Sequence, residues 1–173
     1  MMYLLSIIIV VYTIALTLIF IYALAQLNLL SNYLKAQKKQ SQAVKFDFSN
    51  PNNIPFVSIQ LPVYNEMYVM ERLLENISKM DYPKDKLEIQ VLDDSTDESL
   101  ELTQKLVKQL KLSGVNIVHI HRTKRTGFKA GALKEGLKVA KGEFIAIFDA
   151  DFLPRPNWLK ETIPYFKDEN IGV

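Results

Sequence analysis

The apolar run Phe144-Ile145-Ala146-Ile147-Phe148 stops at Asp149-Ala150-Asp151, and two carboxylates at that spacing are suited to holding one hard divalent cation against an anion. A strand buried on both faces reads as continuous hydrophobics, and open α/β sheets bind their ligands at the carboxyl ends of strands. With strand geometry carried through the acids, alternate side chains share a face, so Asp149 and Asp151 point the same way. The competing reading is a capped turn, since Asp favours loops and helix starts. Against it, two converging carboxylates repel each other unless something cationic offsets them.

Three further clusters carry groups of the right kinds. Pro62-Val63-Tyr64-Asn65-Glu66 sets an aromatic ring and polar groups, Tyr64 and Glu66 foremost, at the lip of a first strand, suited to a base or ribose; Tyr64 as plain packing is the alternative. Asp93-Asp94-Ser95-Thr96-Asp97 ends a second strand. One carboxylate of the Asp93–Asp94 pair can accept from an imide N–H or a ribose hydroxyl while the other serves as a structural partner, and Ser95 or Asp97 caps the next helix, Asp97 being preferred. The third cluster is basic: Arg122, Lys124, Arg125, Lys129, Lys134, Lys138 and Lys141 fall within residues 121–141 against a single acid, Glu135. Gly127 and Gly131 allow close backbone approach at the start of a helix, as a diphosphate requires, and Lys129 in its first turn is the choice for the phosphate contact. Lys134, Lys138 and Lys141 read as a solvated helix face. His119 and His121 share a strand face, but with no third His and with hard oxygen ligands at hand they read as ordinary strand positions rather than metal ligands.

The elements that must position these groups follow from periodicity. Val57, Ile59 and Leu61 share one face of a first strand, followed by a helical pattern through Met67, Met70, Leu74 and Ile77. A second strand spans 87–92, and the next helix carries the stripe Leu102, Leu106, Val107 and Leu110. A third strand spans 115–120, a helix 128–141 stops at Gly142, and the apolar fourth strand follows. A helix is expected over 158–166 and a further strand begins at Ile171-Gly172-Val173. This alternation predicts an α/β fold, a mostly parallel sheet with helices on both faces and its chemistry at the strand carboxyl ends.

Ahead of the sheet, residues 1–30 contain no Asp, Glu, Lys or Arg. As a helix, the stretch from Tyr3 to Leu30 reaches ~42 Å, enough to cross a hydrocarbon core of ~30 Å with tilt. It is read as one transmembrane helix; a secretory signal, suggested by Ala23-Leu24-Ala25, lacks the preceding basic residues and is too short a pattern for this run. Residues 31–54 form a basic juxtamembrane linker with Lys35, Lys38, Lys39 and Lys45 before the first acid, Asp47, so the positive-inside rule puts residues 55–173 in the cytoplasm at a cell inner membrane or an endomembrane. A net charge of +2 is too small to point to nucleic acid, and the absence of cysteine excludes disulfides and cysteine-based zinc sites.

Taken in order, Val57-Ser58-Ile59-Gln60-Leu61-Pro62-Val63-Tyr64-Asn65-Glu66, Val91-Leu92-Asp93-Asp94-Ser95-Thr96-Asp97, the segment 122–133 with Lys129-Ala130-Gly131-Ala132-Leu133, and Asp149-Ala150-Asp151 resemble family 2 glycosyltransferases. The Arg125-Thr126-Gly127-Phe128-Lys129 approach to that lysine motif is most similar to membrane β-glycan synthases of the cellulose synthase and glucomannan synthase type. The resemblance covers residues 55–173. It implies a GT-A, Rossmann-like fold, a UDP- or GDP-linked sugar as donor, Mg²⁺ or Mn²⁺, inversion at the anomeric carbon, and a polysaccharide or lipid-linked acceptor. By that likeness Tyr64 and Asp93 contact base or ribose, Lys129 the diphosphate, Asp149 the ribose and metal, and Asp151 the metal. The leaving nucleotide diphosphate develops negative charge that a divalent ion and a lysine stabilise. The family's general base belongs to a later acidic motif, so the catalytic base is expected beyond Val173 and the chain is expected to be the donor-binding half. Two rivals stand beside this reading. A haloacid-dehalogenase-type phosphotransferase also places Asp-x-Asp after an apolar strand, although Phe152-Leu153 here replaces its usual Thr or Val. The other is a non-catalytic, membrane-tethered nucleotide-binding protein.

Overall fold

The computed structural model describes residues 2–38, 47–48, 50, 53–167 and 171. They divide into two units, Met1–Val44 and Lys45–Val173. In the first, helix α1 (Met2–Lys38) is 37 residues long, or ~55 Å. Its stretch Tyr3–Lys35 is long and apolar enough to cross a membrane, with none of its most apolar window buried within the protein. The two threonines inside it need no water, because Thr13 Oγ1 donates to the Ile9 carbonyl and Thr17 Oγ1 to the Thr13 carbonyl, both at 2.8 Å. The helix continues past Leu30 into the basic segment; Lys39 and Lys45 lie outside the described residues, as do Gly172 and Val173 of the expected last strand.

The second unit holds strands β1 (Val57–Val63), β2 (Leu87–Asp93), β3 (Ile117–His121) and β4 (Phe144–Ile147), with helices α2 (Met70–Ser78), α3 (Ser99–Leu112), α4 (Phe128–Val139) and α5 (Trp158–Thr162). The strands form one parallel sheet in the order β3-β2-β1-β4, so the chain reverses its direction of build between β1 and β4. Val57 pairs with Leu87 and with Phe144, and Asp93 pairs with Val63 and His121, which brings the ends of β1, β2 and β3 level.

Strand alternation sorts the two faces. Val57, Ile59, Leu61, Ile89 and Val91 form the core with Met70, Leu73, Leu74 and Ile77 of α2 and with Val107 of α3. Four buried apolar positions spaced by three and four make α2 amphipathic; Met67, expected on it, stands in the preceding turn and is exposed. On the opposite face Ser58, Gln60, Glu88 and Gln90 are all buried beneath α4. Buried polar groups need partners, and these have them. Ser58 Oγ donates to Glu88 Oε1 at 2.5 Å, the amides of Gln60 and Gln90 meet at 3.0 Å, and the backbone N–H groups of Lys141 and Gly142 donate to Glu88 Oε1 and Ser58 Oγ at 2.6 and 2.7 Å. This ladder receives the chain as it leaves α4, which ends at Val139 rather than at 141 because Ala140 is already extended.

Candidate functional site

At the end of β1 the chain turns at Asn65, whose φ of 56° is left-handed, a conformation Asn tolerates better than most residues. Two bonds to the neighbouring loop hold it there: Asn65 N–H donates to Ser95 Oγ at 2.9 Å, and Thr96 N–H donates to Asn65 Oδ1 at 3.0 Å. The lips of β1 and β2 are thereby zipped, with Tyr64 partly exposed on the outside.

The two acids that follow β2 go to opposite duties. Asp93 is fully buried; its Oδ1 accepts from Ser95 N–H and its Oδ2 from His119 Nε2–H, both at 2.8 Å. Burial pushes its carboxyl up, but the bonds from His119 and Ser95 and the charge of His119 outweigh that and hold it below the ordinary aspartate value. His121 stacks beside His119 with ring centroids 6.3 Å apart and donates to the Ser95 carbonyl at 3.2 Å, so both histidines brace the β2 loop. Asp94 faces the other way, into a bidentate pair with Arg122: Nε to Oδ1 at 2.7 Å and Nη2 to Oδ2 at 2.5 Å. The cap position of α3 falls at Glu98 rather than at the expected Asp97, which stands one residue earlier and whose Oδ1 accepts from Ser99 N–H at 3.0 Å.

Arg122 also organises the basic loop. Its guanidinium donates to the carbonyls of Thr126 and Phe128 at 3.1 and 3.0 Å, and the hydrogen bonds to Asp94 raise its already high pKa. That loop needs its glycines: Gly127 has φ +73°, and a Cβ on Gly131 would stand 1.9 Å from the Thr126 carbonyl oxygen. The result is a tight entry into α4 that presents Lys129 in the first turn. Between the zipped lips and this turn lies a pocket of about 160 Å³ whose walls include Tyr64, Glu66, Asp94, Arg125 and Lys129. Arg125 covers the ring of Tyr64, its Cζ 3.4 Å from the centroid.

Lys129 reaches out of that pocket to pair with Asp149. Both groups are about half exposed, so the pair contributes no more than about 1 kcal/mol and gives way readily to a stronger partner. Strand geometry does not extend to the acids: β4 ends at Ile147, and Asp149, Ala150 and Asp151 form a turn in which Phe152 N–H donates to the Asp149 carbonyl at 3.0 Å. The alternation argument for the two carboxylates therefore does not apply; a staple of rings sets the turn instead. Phe148 is buried edge-on to Trp158 at 5.0 Å and stacked on Phe152 at 5.7 Å, on either side of the acids. Asp151 is exposed at the tip. Among the described residues no group of three His, Asp or Glu gathers in metal-ligating range. Two exposed carboxylates are a hard donor set for Mg²⁺ or Mn²⁺, but an incomplete one, which suits a cation that arrives with phosphate oxygens.

Of the residues singled out from sequence, Tyr64, Glu66, Asp94 and Lys129 share one pocket and Asp149 is tied to it through Lys129. Asp93 stands apart on the α3 side. Sequence reasoning assigned no site role to Asn65, Arg122 or His119; the parallel register that sets His121 beside Asp93 is the signal that links the histidines to that acid, and it appears only once the strands are paired. A larger hollow of about 760 Å³ lies behind the basic loop, lined by His121, Lys124, Lys134 and Lys138 among others. Volume favours it; chemistry favours the smaller pocket, where an aromatic face, carboxylates and a first-turn lysine converge.

The family model for glycosyl transferase family 2 matches residues 58–173. A glucomannan 4-beta-mannosyltransferase of Arabidopsis thaliana is 44% identical over 115 residues, which are 64% of this chain and 21% of that protein. Among solved structures, the mannosyltransferase PcManGT from Pyrobaculum calidifontis, in complex with GDP-Man and Mn2+, superposes with a TM-score of 0.63 at 33% identity, covering 83% of this chain and 41% of that one. S. aureus TarS 1-349 in complex with UDP gives a TM-score of 0.57 at 27% identity, covering 66% and 33%. The chain spans about a fifth of the length of the curated plant relatives it matches.

Proposed function

The chain belongs to glycosyl transferase family 2, and on that premise we propose that it is the donor-binding part of a membrane-anchored, inverting transferase that takes mannose from a GDP-linked donor to a β-linked polysaccharide or a lipid-linked acceptor. The mannosyltransferase relatives and the neighbour bound to GDP-Man and Mn2+ support the choice of sugar and nucleotide. The haloacid-dehalogenase reading of Asp149 and Asp151 falls with the family membership.

One observation carries the site: Lys129 and Asp149, from different elements, meet at the mouth of the pocket that holds Tyr64 and Asp94. In this reading the base lies toward Tyr64, with Glu66 and Asp94 toward the ribose, while Asp93 acts indirectly by fixing the loop. Lys129 and those first-turn N–H groups of α4 that are not already given, as those of Phe128 and Gly131 are, to the Arg125 and Gly127 carbonyls meet the diphosphate. Asp149 and Asp151 would hold a divalent cation that acts as a Lewis acid on the leaving diphosphate. The Lys129–Asp149 pair opens as the donor binds, leaving ammonium to phosphate and carboxylate to cation. No general base is assigned among the described residues. Helix α1 is the anchor, and the lysines in its last turns and just beyond set residues 55–173 on the cytoplasmic side.

Calorimetric titration of the detergent-solubilised 173-residue chain with GDP tests the site. Mn²⁺ is expected to tighten binding at least about tenfold, and Asp151→Ala to remove that gain while leaving the metal-free affinity in place. Binding indifferent to chelator and to the substitution contradicts the metal role.

A further inference from the structure

Among the described residues lining the donor pocket, Arg125 is the one charged group without a role so far, and its surroundings are unusual. Its guanidinium lies flat enough on Tyr64 to put Cζ 3.4 Å from the ring centroid, 5.2 Å from the ring of Phe128, with Nε 3.9 Å from Asp94 Oδ2. It therefore occupies the aromatic face on which a nucleobase would stack. Such a contact at a partly exposed site is weak, so a base can take the face and send the guanidinium to the base's edge.

Resting on the donor site proposed above, we infer that Arg125 selects the nucleobase, reading the O6 and N7 edge of guanine. The guanidinium is permanently charged, planar and offers donors in a fixed fork. Guanine presents two adjacent acceptors, O6 and N7, which that fork matches with two hydrogen bonds. Adenine replaces O6 with an N6 amine, a donor that the fork repels. Uracil sets its O4 acceptor beside the N3–H donor, so only one bond forms. Asp94 does not compete for this role, because a carboxylate only accepts and O6 and N7 are themselves acceptors. Short of the pocket, Lys124 lacks the planar fork, and Lys129 is committed to Asp149 and the phosphate side.

Calorimetry with GDP, IDP, ADP and UDP, all in Mn²⁺, tests the inference on the full chain. Inosine keeps O6 and N7 and loses only the N2 amine, so IDP is expected to bind within about threefold of GDP, while ADP and UDP bind roughly 10- to 100-fold more weakly. Arg125→Ala removes the preference by weakening GDP and IDP alone. Arg125→Lys keeps the charge without the fork and is expected to lose the preference as well. Equal weakening of all four nucleotides by Arg125→Ala, IDP falling to the level of ADP, or an unchanged preference in both variants overturns the assignment while leaving the donor site intact. Failure of the unaltered chain to bind any of the four overturns the donor site itself, and the assignment with it.

Discussion

Arg122 and Asp94 show how one pair of residues governs the site from below. The carboxylate is 3% exposed and the guanidinium 12%, so removing the arginine leaves a buried charge with only the looser contact to Arg125 Nε at 3.9 Å. Breaking a buried pair from one side typically costs about 3–5 kcal/mol. Arg122→Ala is expected to lose stability toward the lower end of that range and to free the Thr126 and Phe128 carbonyls, which urea unfolding and a loss of nucleotide affinity together measure. Asp93 makes a different prediction. Its carboxyl titrates lower in the folded chain than in the unfolded one, so the unfolded chain binds its proton first. The stability it contributes is complete above the ordinary aspartate value of about 3.9 and is lost as pH falls through the lower folded value. Urea midpoints followed down the acid range should drop more steeply for the unaltered chain than for Asp93→Asn. At this scale the sequence brought both acids to one strand end but could not divide them, because adjacent residues on a strand end face opposite sides and only the pairing with β3 shows which side holds the histidines.

The loop that enters α4 turns those residues into a site, and its glycines are where the element is most exposed to change. A methyl group on Gly131 meets the Thr126 carbonyl at 1.9 Å, a backbone atom with nowhere to retreat, whereas Gly114 has open space and only its φ of +89° to defend. Gly131→Ala is therefore expected to destabilise the chain by several kcal/mol and to abolish nucleotide binding. Gly114→Ala is expected to cost about 1–2 kcal/mol and to leave binding unchanged; thermal unfolding with and without GDP separates the two. The four strands and their helices were legible because β1, β2 and β4 are rich in apolar residues and α2 repeats them at helical spacing. The ends were not legible. The turn at 149–151 is fixed by Phe148, Phe152 and Trp158 closing around it, contacts that no local spacing announces. The buried polar face of β1 and β2 was equally silent, since nothing in the order of Ser58 and Gln60 announces the partners that Glu88, Gln90 and the end of α4 supply.

At the scale of the molecule, the second unit sets an acidic turn against a basic helix start so that the two neutralise each other, and in the proposed reading a ligand divides them. The Lys129–Asp149 contact is weak enough to exchange, and the pocket behind it carries the ring and the carboxylates that a nucleotide needs. The fold class, the apolar helix and the family were readable from residue order alone. That Lys129 meets Asp149 was not, because twenty positions and two elements separate them. The most direct test is anomalous diffraction at the manganese edge from crystals of the chain grown with GDP and Mn²⁺. A manganese peak between Asp149 and Asp151, with the terminal phosphate of GDP within hydrogen-bond distance of a Lys129 ammonium that has released Asp149, is the predicted result. Manganese and nucleotide lodged instead in the larger basic hollow beside Lys134 and Lys138, with the Lys129–Asp149 pair still closed, would contradict the account.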